Sequence, residues 1–310
     1  MASQRTAKHK AERTSASGRA LGILAVALAT TIWGTVGPLV KMFPEGTAMQ
    51  YAMMRNIIGI TFLWSVVAVS KNKSRYTKKD LFPMVFGGIG YAAFMPFFSQ
   101  GFERAGVAVA AVLAIGLAPI FTGILGWLFH RHIPSRNWVL GTGFAIVGLV
   151  GLSWPTQEVK ADTLGIIFAI AAAFAYSWQA VGMQMISQRH SSFQSVAPTL
   201  TLGAIFQAPL SLGGDFSFLQ EPKFIAGILY GGIVTASIAY GLFTYGISRI
   251  GTPTAVTVGL MEPLTAAAMG VLLLGEVIAP IGYVGIVLIL IGLIIVSRQR
   301  DTSPTILVEP

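Results

Sequence analysis

Residues 101–106 read Gly101-Phe102-Glu103-Arg104-Ala105-Gly106, and residues 246–251 read Gly246-Ile247-Ser248-Arg249-Ile250-Gly251. At an offset of 145 both glycines and the arginine coincide, and Ala110 then meets Ala255. One residue is lost after that. At an offset of 144, Pro119 aligns with Pro263, Gly126 with Gly270, Gly141 with Gly285 and Gly148 with Gly292. Near the start of each half, Leu21-Gly22-Ile23 meets Leu164-Gly165-Ile166 at an offset of 143. Weak self-similarity of this kind is the residue of an internal duplication.

What is duplicated is a set of apolar segments. A membrane-spanning helix needs about 20 largely apolar residues, because it rises about 1.5 Å per residue through about 30 Å of hydrocarbon. Ten segments qualify: Ala20 to Val40, Ala48 to Ser70, Leu81 to Gly101, Gly106 to Phe129, Trp138 to Trp154, Thr163 to Ile186, Ser195 to Leu212, Phe224 to Ile247, Thr254 to Leu274 and Ile278 to Val296. The expected fold is an all-α membrane protein of ten transmembrane helices in two five-helix repeats. An odd number of spans per copy makes the second copy enter the membrane from the opposite face, so the repeats are expected to be inverted. The expected organisation is a basic tail (1–19), a first repeat (20–154), a second repeat (155–298) and a short polar tail (299–310).

Charge placement tests the count, since one helix too many or too few inverts every later loop. With the N-terminus inside, 16 of the 21 lysines and arginines fall on the inner side: five in the tail, five from Lys71 to Lys79, then Arg131, Arg136, Arg189, Arg249, Arg298 and Arg300. The outer side holds Lys41, Arg104, Lys160 and Lys223, and Arg55 lies within a span. This is the positive-inside pattern, with both termini cytoplasmic. The basic residues before Ala20 resemble a signal-peptide n-region, but the following run is long enough to span and lacks a clear small-x-small cleavage site. It is expected to remain as the first helix.

Composition agrees. Fifty-four percent of the residues are hydrophobic and 11% charged, against about one-quarter charged in a soluble domain. The 35 glycines form no linker or collagen period and belong inside the spans, where small residues let helices approach. The net charge of +9 sits in loops, so it is read as topology rather than as a nucleic-acid footprint. Without cysteine there is no disulfide framework, thiolate metal site or cysteine nucleophile. His9, His130, His132 and His190 show no metal-ligand spacing, so no metal or cofactor is expected and a membrane enzyme is disfavoured.

Two charges lie inside spans. Glu262 sits near mid-depth, where a carboxylate costs about 2.5–3.5 kcal/mol on insertion scales. It is read either as a cavity acid that binds an amine or takes up a proton, or as a group closing hydrogen bonds around Pro263. Its repeat mate is Ala118, so the copies differ chemically there. Arg55 is read as an anchor for a carboxylate, or as a structural partner of helix carbonyls or of Glu262. Aromatic residues supply the other candidates: Trp33, then Tyr91, Phe94 and Phe98 on one face of the third span, Tyr176 and Trp178, and Tyr240 with Thr244. Trp33 and Tyr176 are repeat mates, and mid-span Tyr and Trp seek polar partners. Packing or lipid contact is the alternative for this stripe. Pro119 and Pro263 are matched kinks, readable as hinges or as inherited shape. The glycines spaced seven apart at 141, 148, 285 and 292 are read as close helix packing, with dimer contact as the alternative.

These residues carry a resemblance. Ile32-Trp33-Gly34, Arg55, Ala118-Pro119-Ile120, Glu262-Pro263 and Leu274-Gly275-Glu276 together resemble the EamA-type branch of the drug/metabolite transporter superfamily over about residues 20–298. One position departs: the first-repeat counterpart of Leu-Gly-Glu reads Leu128-Phe129-His130-Arg131. The resemblance implies a ten-helix carrier of amino acids, other metabolites or drugs, working as an exporter. The expected partners are a small solute and the bilayer, with protons as a candidate coupling ion. A monomer and a homodimer are both left open. A channel would instead require rings of polar or charged residues around a constriction, and no such ring stands out.

Overall fold

The structure is a computed structural model; it describes residues 2–40, 42–71, 73–130, 134–154, 162–275 and 277–298. Glu276, Lys41, Arg131, His132, Lys160 and the 299–310 tail lie outside the described residues. Among those described, every regular element is helical. In chain order these are α1 Ala2–Gly34, α2 Val36–Val40, α3 Ala48–Val69, α4 Lys78–Ala105, α5 Val107–Gly116, α6 Ala118–His130, α7 Arg136–Leu152, α8 Thr163–Ser187 and α9 Ser192–Gln207. They continue with α10 Pro222–Leu229, α11 Ala239–Ile250, α12 Thr252–Val258, α13 Met261–Leu274 and α14 Pro280–Ser297. A π-helical stretch, Tyr230–Ile238, joins α10 to α11.

Eight described segments are long and apolar enough to cross a membrane. Two of the ten expected spans fall short of that length. Helix α7 is apolar but has only 17 residues, and α9 is 16 residues extended by a 3-10 turn, Ala208–Ser211. The fourth and ninth expected spans are each broken in two. Both breaks lie just ahead of the paired prolines: Pro119 follows the gap between α5 and α6, and Pro263 follows the gap between α12 and α13. A proline has no N–H for the carbonyl four residues back, here Ile115 or Gly259, and its ring crowds that carbonyl, so the helix is interrupted in the turn ahead of it.

The repeat is written in backbone geometry as well as in sequence. Gly106 has φ 79° and ψ 158°, and its mate Gly251 has φ 75° and ψ 156°. Each closes the preceding helix with its own N–H, to Phe102 O at 3.0 Å and Ile247 O at 2.9 Å, and each carbonyl starts the next helix by accepting from Ala110 N or Ala255 N at 3.0 Å. A positive φ in this region is cheap only without a Cβ. Thus the glycines in the opening motif mark two equivalent helix-to-helix corners.

Small residues let the helices meet. At the α7–α14 contact, a Cβ on Gly148 would lie 2.5 Å from Gly285 O, and one on Gly141 would lie 2.7 Å from Gly292 O. The four glycines therefore face one another within a single chain. At the α4–α8 contact, a Cβ on Gly90 would lie 2.6 Å from Gln179 N. In hydrocarbon, where burying apolar groups against each other gains little over lipid, this van der Waals closeness is what holds helices together. The outer faces remain apolar, with Leu24, Ile57, Val147, Ile205 and Val287 exposed.

One end of the bundle is tied by polar groups. Asp80, buried at the start of α4, accepts from Thr77 N at 2.7 Å and Thr77 Oγ1 at 2.8 Å, and it pairs with Arg189 Nη2 at 3.1 Å and His190 Nε2 at 3.2 Å. The Ser74 hydroxyl meets His190 Nδ1 at 2.6 Å, and Gln194 Nε2 donates to Ser74 O at 2.9 Å. These bonds fasten the α3–α4 loop to the α8–α9 loop. On the α4–α5 side, Asp162 caps α8 by accepting from Gly165 N at 2.6 Å and pairs with Arg104 at 3.2 Å. The Gly165 amide and the Arg104 guanidinium hold its carboxyl below the usual carboxylate range.

Candidate functional site

The centre of the molecule is aromatic. Trp33, the penultimate residue of α1, lies with its ring 4.7 Å from Tyr240, 5.0 Å from Phe243 and 6.5 Å from Tyr176. Its indole donates to the carbonyl of Thr235 at 3.0 Å, inside the π-helical stretch. A mid-span tryptophan needs such an acceptor, and π-helical turns recur at functional positions. Tyr91 on α4 approaches Tyr240 at 5.8 Å, and Phe94, one turn on, approaches Tyr176 at 5.8 Å. Phe98 stacks on Phe94 at 5.2 Å and extends the wall toward Phe102. Four elements, α1, α4, α8 and α11, therefore place aromatic rings around one point.

Arg55 stands beside this cluster. The helical repeat of α3 turns it inward, and Nη2 donates to the Tyr91 hydroxyl at 3.3 Å. Tyr91 in turn donates to Asn56 Oδ1 at 2.5 Å, and Asn56 Nδ2 donates to Gln207 Oε1 at 3.1 Å. The arginine thus has a polar relay rather than a helix terminus as its support. It pairs with no carboxylate among the described residues, so its expected structural pairing with Glu262 is not formed. The Nε atom of Arg55 is buried and unpartnered.

Glu262 lies in the first turn of α13, immediately past the break. Its backbone N–H donates to Gly259 O at 2.9 Å. The carboxylate itself has no ion pair or hydrogen bond among the described residues, so it does not close bonds around Pro263. It is partly exposed, and α13 seats it beside the end of α1, where a Cβ on Gly34 would lie 2.7 Å from Glu262 O. An unengaged cation edge and an unengaged carboxylate therefore flank one aromatic box.

Two of the expected residues stand elsewhere. Trp178 is two positions from Tyr176, about 200° around α8 at 3.6 residues per turn, and packs on Phe86 at 5.0 Å and Phe174 at 5.6 Å. Thr244 is fully buried and its hydroxyl contacts Met183 Sδ at 3.7 Å. Four other residues belong to the site. Asn56 and Gln207 form the relay, Thr235 holds Trp33, and Gln179 borders the Tyr240 hydroxyl while neither end of its amide finds a well-aligned partner. An uncharged amide in an apolar run carries little signal in sequence; its burial and lack of partner appear only in three dimensions.

The site is sealed on one side. Toward the α11–α12 corner, Ile247, Ile250, Ala255, Val256 and Val258 are almost wholly buried, whereas Phe94, Phe98, Tyr176, Glu262 and Thr265 keep partial exposure.

The model of the EamA-like transporter family matches the chain twice, over residues 20–154 and 163–298. The uncharacterized transporter YwfM of Bacillus subtilis is 30% identical over 285 residues, covering 90% of this chain and 96% of that protein. The threonine/homoserine exporter RhtA of Escherichia coli is 25% identical, with 90% of each chain covered. A probable terminal-alkyne amino-acid exporter of Streptantibioticus cattleyicolor is 20% identical over 89% of this chain and 93% of its own. A solved crystal structure, 16% identical, superposes with a TM-score of 0.76 over 91% of this chain and 98% of that one, which shows a shared fold. With its two family-model matches and its bundle of apolar helices, the chain belongs to the EamA-like transporter family and is a multi-pass membrane transporter rather than an enzyme.

Proposed function

We propose that the protein exports a small zwitterionic metabolite of the amino-acid class across the cytoplasmic membrane, by alternating access around the aromatic box. The observation that carries this reading is that Arg55 reaches the box through Tyr91 while Glu262 sits beside Gly34, next to Trp33, with no ion pair between the two. A carboxylate would settle on the guanidinium and an ammonium on the Glu262 carboxylate, with Trp33 and Tyr176 covering the ammonium by cation–π contact. The named amino-acid exporters among the relatives support the substrate class.

In this reading the chain crosses ten times with both termini inside. Residues 20–154 and 155–298 form inverted repeats between the tails 1–19 and 299–310, in keeping with the charge partition. The sealed α11–α12 end then faces the cytoplasm and the partly exposed end faces out. Glu262 also takes up the coupling proton when the solute has left.

The test is uptake and counterflow in proteoliposomes over a panel of amino acids, amines and carboxylates. A carrier saturates and shows counterflow, and channel-like flux without counterflow defeats the proposal. Arg55→Met is expected to lower transport of zwitterions by at least tenfold, about 1.4 kcal/mol, while sparing simple amines. Glu262→Gln is expected to abolish dependence on a pH gradient; full retention of that dependence removes the proton from the mechanism.

A further inference from the structure

The polar relay behind Arg55 ends at a groove. Between α3 and α9, outside the aromatic box, a groove of about 300 Å³ is lined by Asn56, Ile57, Ile60, Ile205, Gln207 and Ser211 among others. Its rim residues Ile57 and Ile205 are 47% and 59% exposed, so the groove opens on the outer face of the bundle, where a membrane protein meets lipid.

The groove is polar at one end only. Thr61 and Thr201 lie toward its far end, but each hydroxyl is spent on its own helix, on Ile57 O at 2.8 Å and Ala197 O at 2.7 Å. Thr201 Oγ1 also accepts from Trp64 Nε1 at 3.0 Å. That end presents methyl and alkyl groups. At the other end, Asn56 is engaged through both its oxygen and its nitrogen, donating to Gln207 Oε1 and accepting from Tyr91. This fixes which end of the Gln207 amide is free: its Nε2, buried and without any partner. Gln207 is 3% exposed. Buried amide donors are nearly always paired, and hydrocarbon offers no water to do it.

We infer that this groove binds a glycerophospholipid of the bilayer, with one acyl chain along Ile57, Ile60 and Ile205 and an ester carbonyl accepting from Gln207 Nε2. The order of chemistry matches: a lipid carries its first strong acceptor at the head of an alkyl chain, and the groove carries its free donor at the head of an apolar trough. The span from Met53 to Thr61 is about 12 Å of helix, the length of an acyl segment rather than of a compact polar solute. Because Gln207 holds Asn56, which holds Tyr91, which holds Arg55, a bound lipid stiffens the cation of the aromatic box. The inference needs only that the chain is embedded in lipid and is independent of which solute it carries.

The experiment uses the full chain in liposomes containing phosphatidylethanolamine with a diazirine in one acyl chain. Photolysis and peptide mapping are expected to concentrate label on residues 53–61 and 201–208. Ala204→Trp, which fills the trough, is expected to cut that label about tenfold. Gln207→Leu keeps the volume and removes the donor, which covers the case in which Ala204→Trp fails to fold. In the wild type, ester-linked phosphatidylethanolamine should outcompete its ether-linked analogue about fivefold, as one hydrogen bond allows, and Gln207→Leu should erase the difference. Label spread evenly over α7 and α14, label indifferent to Ala204→Trp, or equal competition by ester and ether lipids overturns the inference. Displacement of the label by excess free amino acid also overturns it, by assigning the groove to the solute.

Discussion

At the scale of single residues, the site is a set of polar atoms forced to find partners in a medium that supplies none. Trp33 illustrates this: its indole and its ring are both engaged. Trp33→Phe keeps most of the packing and loses one hydrogen bond, so thermal melting should report a cost of about 0.5–1.5 kcal/mol. Trp33→Ala leaves a cavity and should cost about 3–5 kcal/mol. Asp162 offers a pH test away from the membrane. Its folded pKa lies below its unfolded value, so its contribution to stability is complete above the ordinary carboxylate range near pH 4 and is lost as pH falls through the lower folded value. Melting curves of Asp162→Asn should therefore fall less steeply than the wild type as the pH drops below about 4. Sequence made Trp33, Arg55, Tyr91, Tyr240 and Glu262 legible because charge and aromatic bulk inside a span are conspicuous. Gln179 and Gln207 were not, because an amide becomes informative only when its partners can be counted.

At the scale of elements, the two glycine corners behave as one device used twice. Neither Gly106 nor Gly251 has the αR or β backbone that an L-residue prefers, and around Gly251 a Cβ would meet open space. Gly106→Ala and Gly251→Ala should each cost about 1–3 kcal/mol, by similar amounts, when unfolding is followed in detergent. The α7–α14 seam behaves differently, since the obstacle there is a neighbouring backbone. Gly148→Ala should cost about 1–3 kcal/mol through overpacking, although its backbone is ordinary helix. The spacing of seven announced that seam in sequence. It could not say that the two stripes meet each other within one chain, because the same spacing serves a dimer equally well. The interruptions of the fourth and ninth spans were foreshadowed by the paired prolines, whereas the π-helical stretch has no comparable mark: Tyr230–Ile238 contains no proline and only ordinary span residues.

At the scale of the whole molecule, the Asp80 cluster joins the loop after α3 to the loop after α8, at the end where the bundle is tightly packed. Asp80→Asn keeps the shape and removes the charge that organises Thr77, Arg189 and His190. It should lower stability by about 1–3 kcal/mol and, in the proposed transport cycle, loosen the sealed end. A cysteine placed at Val256 in this naturally cysteine-free chain should then react faster with maleimide than in the wild-type background.

The sequence by itself determined that the chain is a bundle of membrane helices and that it is a duplication, since both are recorded in properties that need no third dimension: hydropathy, loop charge and the offset of matching residues. The glycines at 106 and 251 were marked there only as repeat mates; that both take a positive φ is seen only in the fold, since other glycines of the chain sit in ordinary helix. Tertiary structure alone decided which inward-facing groups meet. Tyr176 joins Trp33 while Trp178 turns away, Arg55 rests on Tyr91 and Asn56 rather than on Glu262, and Gln207 is left with an unspent donor. The reason is physical: helical periodicity fixes the face on which a side chain stands, but only the packing of helices fixes what stands opposite.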